Sequence, residues 1–493
     1  MSEHNQNTPI KIKGEKNTWE IVIGLEVHAQ INSKSKLFSA APTSFGSEPN
    51  ENVSLIDAAM PGMLPVINSE AVDQAIRTGH ALNSVINEYS VFDRKNYFYA
   101  DLPQGYQISQ YSMPIVGEGW IDIDLSGERT KRIGIERLHL EQDAGKSIHD
   151  MLPDSTLIDL NRAGIPLMEI VSRPDMSDWN EAGDFLKKLR NILKSIGSCD
   201  GNMEEGSLRC DANVSVRLKG EKLGTRCEIK NINSIKFMMK AIEYEANRQV
   251  KLLENGSNVL QETRLYDSHK SITRPMRSKE EAHDYRYFPD PDLPPLVLDK
   301  QRIIKLKETL PELPDTRRKR FMSDLGLSKY DAGVLTAEKN ISDFYEEVSK
   351  KRDPKLVANW IITNLFGLLN ENNKDISESP ITTDSLAELL GFIEDGSISN
   401  RIAKNVFEEM YTSSKSAKEI ISEKNLRQLS NEDQLTPIIK NLLEINSDQV
   451  EQYLNGNAKV IGWFVGQIMK ETKGKANPSM VNKILVKMLR EDK

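Results

Sequence analysis

Cysteine is scarce: Cys199, Cys210 and Cys227 are the only three in 493 residues, and no two of them form a CxxC pair. That spacing argues against a zinc knuckle or a disulfide framework, and reduced thiols fit a cytoplasmic enzyme. Long apolar runs are missing as well; none reaches the ~18 residues that a membrane-spanning helix needs. The opening segment 1–16 is polar, carries Glu3 and Glu15, and holds no Arg and no apolar stretch. Neither a signal peptide nor a transit peptide is expected from it. Positive charge is in deficit, with 65 Lys and Arg against 73 Asp and Glu and a net charge of −8. Nothing in the overall charge draws the chain to nucleic acid, so any such binding depends on local basic patches. Three chemical signatures are also absent. No GxGxxG follows a strand, and there is no GxSxG. Gly145-Lys146-Ser147 resembles the end of a phosphate loop, but the position where its first glycine belongs is Leu140. A dinucleotide fold, a Walker nucleotide site and a serine hydrolase are therefore set aside. No fixed-period repeat or low-complexity tract is present.

What is there describes an ordinary, rather polar chain, with 38% hydrophobic and 28% charged residues and a length suited to two to four domains. From Trp19 to Leu298 short strands alternate with Gly and Pro turns. Ile121–Leu125 and Ala212–Arg217 alternate apolar and polar residues, as strands do. Helices are expected at 70–82, 179–196 and 235–253, the last with Ile235, Met238, Met239, Ile242 and Ala246 on one face. Strands interrupted by helices, without regular βαβ alternation, predict an α+β fold. The Pro-rich stretch 288–295 closes that region. Beyond Gln301 the pattern is almost wholly helical, with helices expected at 317–325, 332–348, 354–370, 383–395 and 399–411. A polar stretch at 423–433 precedes a smaller helical unit. There Asn477-Pro478 reads as an N-cap followed by proline at the first helical position. The expected divisions are a polar arm 1–17, an α+β domain 18–298, a helical domain 299–428 and a helical tail 429–493.

Two strand-like segments each hold a His and a Glu two residues apart: Glu26 with His28, and His139 with Glu141. Residues i and i+2 of a strand share a face. If the two strands lie near each other, four metal-competent side chains converge. A solvated sheet face would carry the same pairs, and the residues alone leave both readings open. The same holds elsewhere. The aromatic block 92–111, with Arg94 and Lys95, suits base stacking or an ordinary strand pair. Segment 159–174 reads as a Gly-Pro turn between strands, with Arg162, Glu169 and Arg173 nearby. In segments 200–213 and 226–234, Glu205 and Asp211 could complete a metal shell, while Arg209 and Lys230 could hold phosphate oxygens. Structural ion pairs would look alike. Near the C-terminus, Lys470, Lys473 and Lys475 mark the tip of a helical hairpin that suits a phosphate backbone or plain solvent.

Taken together, these stretches resemble one family: the B-type subunits of the aspartyl/glutamyl-tRNA amidotransferases. The resemblance is carried by GLEVHAQ (24–30), DAAMPGMLPVIN (57–68), RKNYFYADLPQGYQISQY (94–111), HLEQDAGKS (139–147), DLNRAGIPLMEIVSRPD (159–175), MEEGSLRCDANVSVR (203–217), CEIKNINS (227–234) and DYRYFPDPDLPPL (284–296). It is strong before residue 300 and looser after. It implies a cradle domain on an antiparallel sheet, an all-helical domain and a small helical tail domain that contacts tRNA. It implies an ATP- and Mg²⁺-dependent ligase that phosphorylates the side-chain carboxylate of mischarged Glu-tRNA or Asp-tRNA. Ammonia then displaces the phosphate. It also implies partners in a heterotrimer: an A-type glutaminase subunit, which supplies the ammonia, and a small C-type subunit. Carried onto this sequence, the resemblance assigns catalysis to Glu26, His28, Glu141 and Glu205, and metal binding to Glu26, His28, Glu141 and Asp211. His139 stands in a supporting position. It assigns nucleotide contacts to Arg94, Arg209 and Lys230, and tRNA contacts to Lys470, Lys473 and Lys475. A histidine ligand is unusual for Mg²⁺ and leaves room for Mn²⁺. The related archaeal E-type proteins carry an inserted domain, for which the helical half here has no room. Phosphoryl transfer needs positioning and charge neutralisation rather than a protein nucleophile, which suits a chain without a catalytic triad.

Overall fold

The structure, a computed structural model, describes residues 11–491 apart from 126–128, 153, 277–284, 414, 428–431 and 473. The chain forms two compact units, Met1–Pro314 and Asp315–Lys493. The first is built on a nine-stranded sheet. Its strands are β1 (Lys11–Lys13), β2 (Thr18–Gln30), β3 (Gly119–Asp124), β4 (Thr130–Gln142), β5 (Pro166–Ser172), β6 (Leu208–Leu218), β7 (Cys227–Lys230), β8 (Thr263–Asp267) and β9 (Ile272–Pro275). They run in the order β9-β8-β7-β6-β2-β5-β4-β3, with β1 paired to the first half of β2. Every pair is antiparallel except β7 with β8. Those two need a crossover, which a helix provides.

Alternation decides which face is covered. Ile21, Ile23, Leu25, Val27 and Ala29 of β2 are buried, and so are Cys210, Ala212, Val214 and Val216 of β6. Helices α1 (Ser69–Ala81), α2 (Trp179–Ile196) and α3 (Ile235–Glu254) pack their apolar faces into this core. Each starts at a side-chain cap, Asn68, Asp178 and Ser234 respectively, which satisfies an otherwise unpaired backbone N–H. In β4 the alternation changes phase. Ile133 and Ile135 face the core, and then Leu138 and Leu140 do. A bulge makes the change: Val171 stands opposite Arg137, whereas Ser172 stands opposite Ile135.

A buried ionic cluster joins α3 to the β8–β9 edge. The fully buried Glu245 carboxylate accepts hydrogen bonds from Arg248 Nη2 (2.7 Å), Gln249 Nε2 (2.9 Å) and Thr273 Oγ1 (2.8 Å). Arg264 Nε lies 3.2 Å from it.

Two expected boundaries are corrected. Residues 11–13 of the expected polar arm join the sheet as β1, and 1–10 lie outside the described residues. The first unit runs to Pro314 rather than 298, because α4 (Lys300–Glu308) packs beside α1, with Ile303 and Leu306 against the core and Arg302 Nε 2.7 Å from Asp73.

The second unit is helical and holds two separate cores, one spanning 321–421 and the other 435–489. The expected helix 332–348 is two helices, Lys329–Leu335 and Lys339–Ser349. The chain turns between them at Glu338, whose backbone is extended. The expected helix 354–370 is continuous to Glu371, with a π-helical turn at Ile361–Leu365. In the tail, helices Val460–Glu471 and Pro478–Glu491 form the expected hairpin, and Asn477 Oδ1 accepts from the amides of Ser479 and Met480. No described helix is long and apolar enough to cross a membrane.

All three cysteines are free and buried. Burial pushes the Cys227 thiol up to about 11 and Cys199 to about 12, and Cys210 rises well above its ordinary value. Thiolate is the reactive form. At pH 8 a colorimetric thiol reagent should therefore report none of the three in the folded chain and all three in urea. Fast labelling of the folded chain would contradict this burial.

Candidate active site

The uncovered face of the sheet carries the charge. Across four strands, Arg209 of β6, His28 of β2, Glu169 of β5 and His139 of β4 stand in one register row. One row out on one side stand Asp211 and Glu26. On the other side Leu167 stands between Gln30 and Glu141. Strands β2 and β4 are not neighbours; β5 separates them. Glu169 therefore bridges the two histidines, with Oε2 3.5 Å from His28 Nε2 and 3.3 Å from His139 Nε2. Glu141 closes the group, 3.6 Å from His28 and 3.8 Å from His139. Ligand atoms of His28, Glu141 and Glu169 all lie within 4.8 Å of one another, close enough to hold one divalent cation between them.

The electrostatics follow from burial against pairing. Burial lowers the proton affinity of His139, but Glu169 and Glu141 outweigh it and lift the group to about 9. His28 is raised against the same burial by Glu169 and Glu141. Burial pushes the Glu169 carboxyl up, yet His139 and His28 hold it well below the usual carboxylate range. Two imidazoles and two carboxylates thus share charge in a closed group. The Nδ1 atom of His139 is buried without a hydrogen-bond partner among the described residues.

This group opens into a cavity of about 530 Å³, walled by Lys95, Arg162, Arg209 and Lys230. Of these, Arg209, Arg162 and Lys230 are each aimed by an acid or a carbonyl. Asp143 Oδ2 lies 3.0 Å from Arg209 Nη2 and 3.3 Å from Gln30 Nε2. Arg162 donates to the carbonyls of Ala144 (2.9 Å) and Gly145 (2.7 Å). Lys230 Nζ sits 2.8 Å from Asp211 and 3.0 Å from Glu228, and these two acids raise its pKa despite burial. Acidic floor and basic walls together suit an anion that carries its own cation, which describes a nucleoside triphosphate.

Gly164 sets the position of this wall. Its φ is +83°, its N–H donates to the Asp143 carbonyl at 2.9 Å, and an added Cβ would come 2.7 Å from Asp57 Oδ1. Asp57 in turn holds the fully buried Lys36 at 3.1 Å. Gly164→Ala is expected to cost about 1–3 kcal/mol from backbone strain alone. A urea midpoint equal to wild type would refute that.

Comparison with known proteins settles the family. Residues 21–304 match the family described as "GatB/GatE catalytic domain", and residues 343–489 match the "GatB domain". The chain belongs to the GatB family. The B-type subunit of the aspartyl/glutamyl-tRNA(Asn/Gln) amidotransferase of Rickettsia bellii is 57% identical over 478 residues, spanning 97% of this chain and 99% of its own length. Its counterparts in Paramagnetospirillum magneticum and Pelagibacter ubique are each 56% identical, over 479 and 488 residues. Those alignments cover 97% and 98% of this chain, and 99% of each counterpart.

Within this GatB chain the expected residues separate. His28 and Glu141 meet at the floor. Glu26 stands one row away, held by Asn213 Nδ2 at 2.8 Å, and is not in the three-residue group. Burial and Glu169 raise its pKa. Asp211 lines the cavity but is paired with Lys230. Glu205 is exposed at the cavity wall. Arg209 and Lys230 line the cavity, whereas Arg94 does not. Arg94 lies 2.9 Å from both Asp290 and Asp292, with its guanidinium over the Tyr106 ring. Gln107 and Gln110 of the aromatic block are likewise engaged, bonding the backbone of β4. Ser147 donates to Asp101, in keeping with the absence of a phosphate loop. In the tail, Lys470 is exposed, Lys475 donates to the Asn425 carbonyl at 2.6 Å, and Lys473 lies outside the described residues.

The member of the group that the sequence reading leaves out is Glu169. Its signal is the single charge inside Pro166-Leu167-Met168-Glu169-Ile170-Val171. A buried strand that keeps one carboxylate in an apolar run has a use for it.

Proposed function

We propose that this chain is the transamidating subunit of a glutamine-dependent tRNA amidotransferase. In this reading it transfers the γ-phosphoryl group of ATP to the side-chain carboxylate of Glu-tRNA or Asp-tRNA, releasing ADP. Ammonia then attacks the acyl carbon, the bond to phosphate breaks, phosphate leaves with the electron pair, and the nitrogen sheds a proton. The product is Gln-tRNA or Asn-tRNA. The single observation that carries the reading is the group of half-buried His28 and Glu169 with buried Glu141 at the floor of a cavity walled by cations.

The donor set fits a divalent cation: two carboxylates and one imidazole within reach of one point, and a second imidazole beside them with a bare buried nitrogen. Glu141, Glu169 and His28 would hold Mg²⁺, or Mn²⁺ given the imidazole, with Glu26 and Asp211 one row out. When bound, the ion supplies charge neutralisation for the phosphates of ATP. Arg209, Lys230 and Arg162 oppose negative charge on the transferring group and hold its oxygens. No nucleophile of the chain is required, because the substrate carboxylate attacks. Activation is needed because a free carboxylate has no leaving group for ammonia to displace.

The ammonia would come from an A-type glutaminase subunit, with a small C-type subunit completing the heterotrimer. The tail hairpin with Lys470, Lys473 and Lys475 would add tRNA contacts. Buried reduced thiols are in keeping with the cytoplasm.

The test uses the assembled enzyme with ATP, Mg²⁺, Glu-tRNA and an ammonium salt in place of glutamine. Wild type is expected to form Gln-tRNA, and the His28→Ala, Glu141→Ala double variant to form at least a hundredfold less, on the order expected when charge-stabilising groups are removed. No product from wild type would overturn the reading. Equal product from the double variant would overturn the site.

A further inference from the structure

We propose that a ladder of aromatic rings beside the cavity stacks the unpaired 3′ end of the substrate RNA. The proposal rests on the tRNA reading above and deepens it. The rings flank a small three-stranded sheet made of Phe288–Pro289, Asp93–Asn96 and Tyr106–Ser109. Tyr111 and Tyr287 stack with centroids 4.1 Å apart and planes 11° from parallel. Tyr287 meets Tyr285 edge-on at 6.1 Å, Tyr285 meets Tyr97 at 6.1 Å, and Tyr97 meets Tyr99 at 5.9 Å.

Part of the row faces the cavity and part faces solvent. Tyr97, between Tyr285 and Tyr99, lines the cavity. Burial and the neighbouring Glu141 raise the hydroxyl pKa values of both Tyr97 and Tyr287, which places these rings within the field of the acidic floor. Tyr99 and Tyr111, at the two ends of the row, are 60% and 57% exposed, and Phe98, next to Tyr99 in the chain, is 88% exposed. Large aromatic rings left this open along one continuous row mark a binding surface rather than a scattered exposure. Lys95 lines the cavity beside the row, with its Nζ 5.0 Å from the Tyr285 ring and 5.8 Å from the Tyr97 ring.

The occupant is argued from continuity and number. A carboxylate on an RNA terminus has to reach the acidic floor, so the last nucleotides must cross this rim. Unpaired bases stack on aromatic rings in any sequence, and a nearby lysine meets their phosphates. ATP offers one base, which leaves most of the ladder unoccupied. A protein partner has no need of the cation-bearing path into the cavity.

The experiment compares the assembled enzyme with Phe98→Ala, Tyr99→Ala and Tyr111→Ala variants, each also made as a ring-retaining change (Phe98→Tyr, Tyr99→Phe, Tyr111→Phe). The affinity for aminoacyl-tRNA should fall on the order of tenfold per ring removed. The ring-retaining variants should keep wild-type affinity, and the KM for ATP should not move. A four-nucleotide single-stranded RNA should compete with tRNA on wild type, and a blunt RNA duplex should not. Unchanged tRNA affinity overturns the proposal. So does a rise confined to the KM for ATP, failure of the alanine variants to assemble with their partners, or a tyrosine-to-phenylalanine variant as weak as the alanine one. This readout is tRNA affinity, whereas the functional reading is tested by product, so the two can fail separately.

Discussion

Glu169→Gln is expected to lower ammonium-dependent amidation by about 10²–10³-fold while leaving the fold intact. The change is isosteric, so the packing of β5 against β2 and β4 is kept. What goes is the nearer of the two carboxylate charges that the imidazoles share, 3.3 and 3.5 Å away against 3.8 and 3.6 Å for Glu141. Two consequences separate this from a generic loss of activity. First, Mn²⁺ affinity measured by calorimetry should fall with it, because one of the two carboxylate donors is gone. Second, the raised pKa of His139, about 9 in the parent protein, should drop, since Glu169 is the largest factor raising it. A folded pKa above the ordinary 6.5 means that protonated His139 stabilises the metal-free protein fully below pH 6.5. That contribution is lost as the pH rises through 9. In Glu169→Gln this slope should shrink. Glu26→Gln, outside the three-residue group, should cost less than about tenfold. Full activity with unchanged Mn²⁺ binding in Glu169→Gln would remove Glu169 from the site.

Glu245→Ala should produce the largest stability loss, about 3–5 kcal/mol. Glu245 is fully buried and takes bonds from Arg248, Gln249 and Thr273, with Arg264 beside it. Removing it leaves two guanidinium groups with one carboxylate, Glu262, between them, and an uncompensated buried charge costs far more than its pair had gained. The effect is read as a shift in the urea transition that exposes Cys227. Burial raises the Glu245 pKa, but its donors, Arg248 first, lower it overall. Its stabilising contribution is therefore full above the ordinary value of 4.5 and fades as the pH falls through the lower folded value. The alanine variant should show less acid sensitivity in that window. A loss below about 1 kcal/mol would show the cluster to be a solvated one.

The strands of the site are readable from sequence because their alternation is local. Glu26 and His28 share a face by spacing alone, and so do His139 and Glu141. The strand between them is not readable in the same way. Nothing in Pro166–Ser172 says that it will insert between β2 and β4, because strand order is a long-range property of the sheet. Sequence therefore leaves Glu169 beside a turn. Arg94 is misassigned for a related reason. Its partners Asp290 and Asp292 lie almost two hundred residues later in the sequence, and only folding shows that they reach it first. The helical half is legible in outline through its 3.6-residue stripes. Its breaks are not, because the extended turn at Glu338 interrupts a stripe that is otherwise regular. Asn477-Pro478 shows the opposite case: a cap and its helix lie within a few residues, and the expected start is the observed one.

The phase change at Glu136 and Arg137 has a consequence for how this sequence can vary. Upstream of it, odd-numbered positions of β4 point into the core; downstream, even-numbered ones do. The bulge takes up one extra residue, so the strand bends here while its cavity-facing side chains keep their face. Glu136 is exposed and Arg137 half-buried, so exchanging either side chain disturbs little. Deleting Glu136 would remove the bulge and restore plain alternation, with Leu138 and Leu140 still in the core and His139 and Glu141 still at the cavity floor, whereas one more inserted residue would need a second bulge to keep them there.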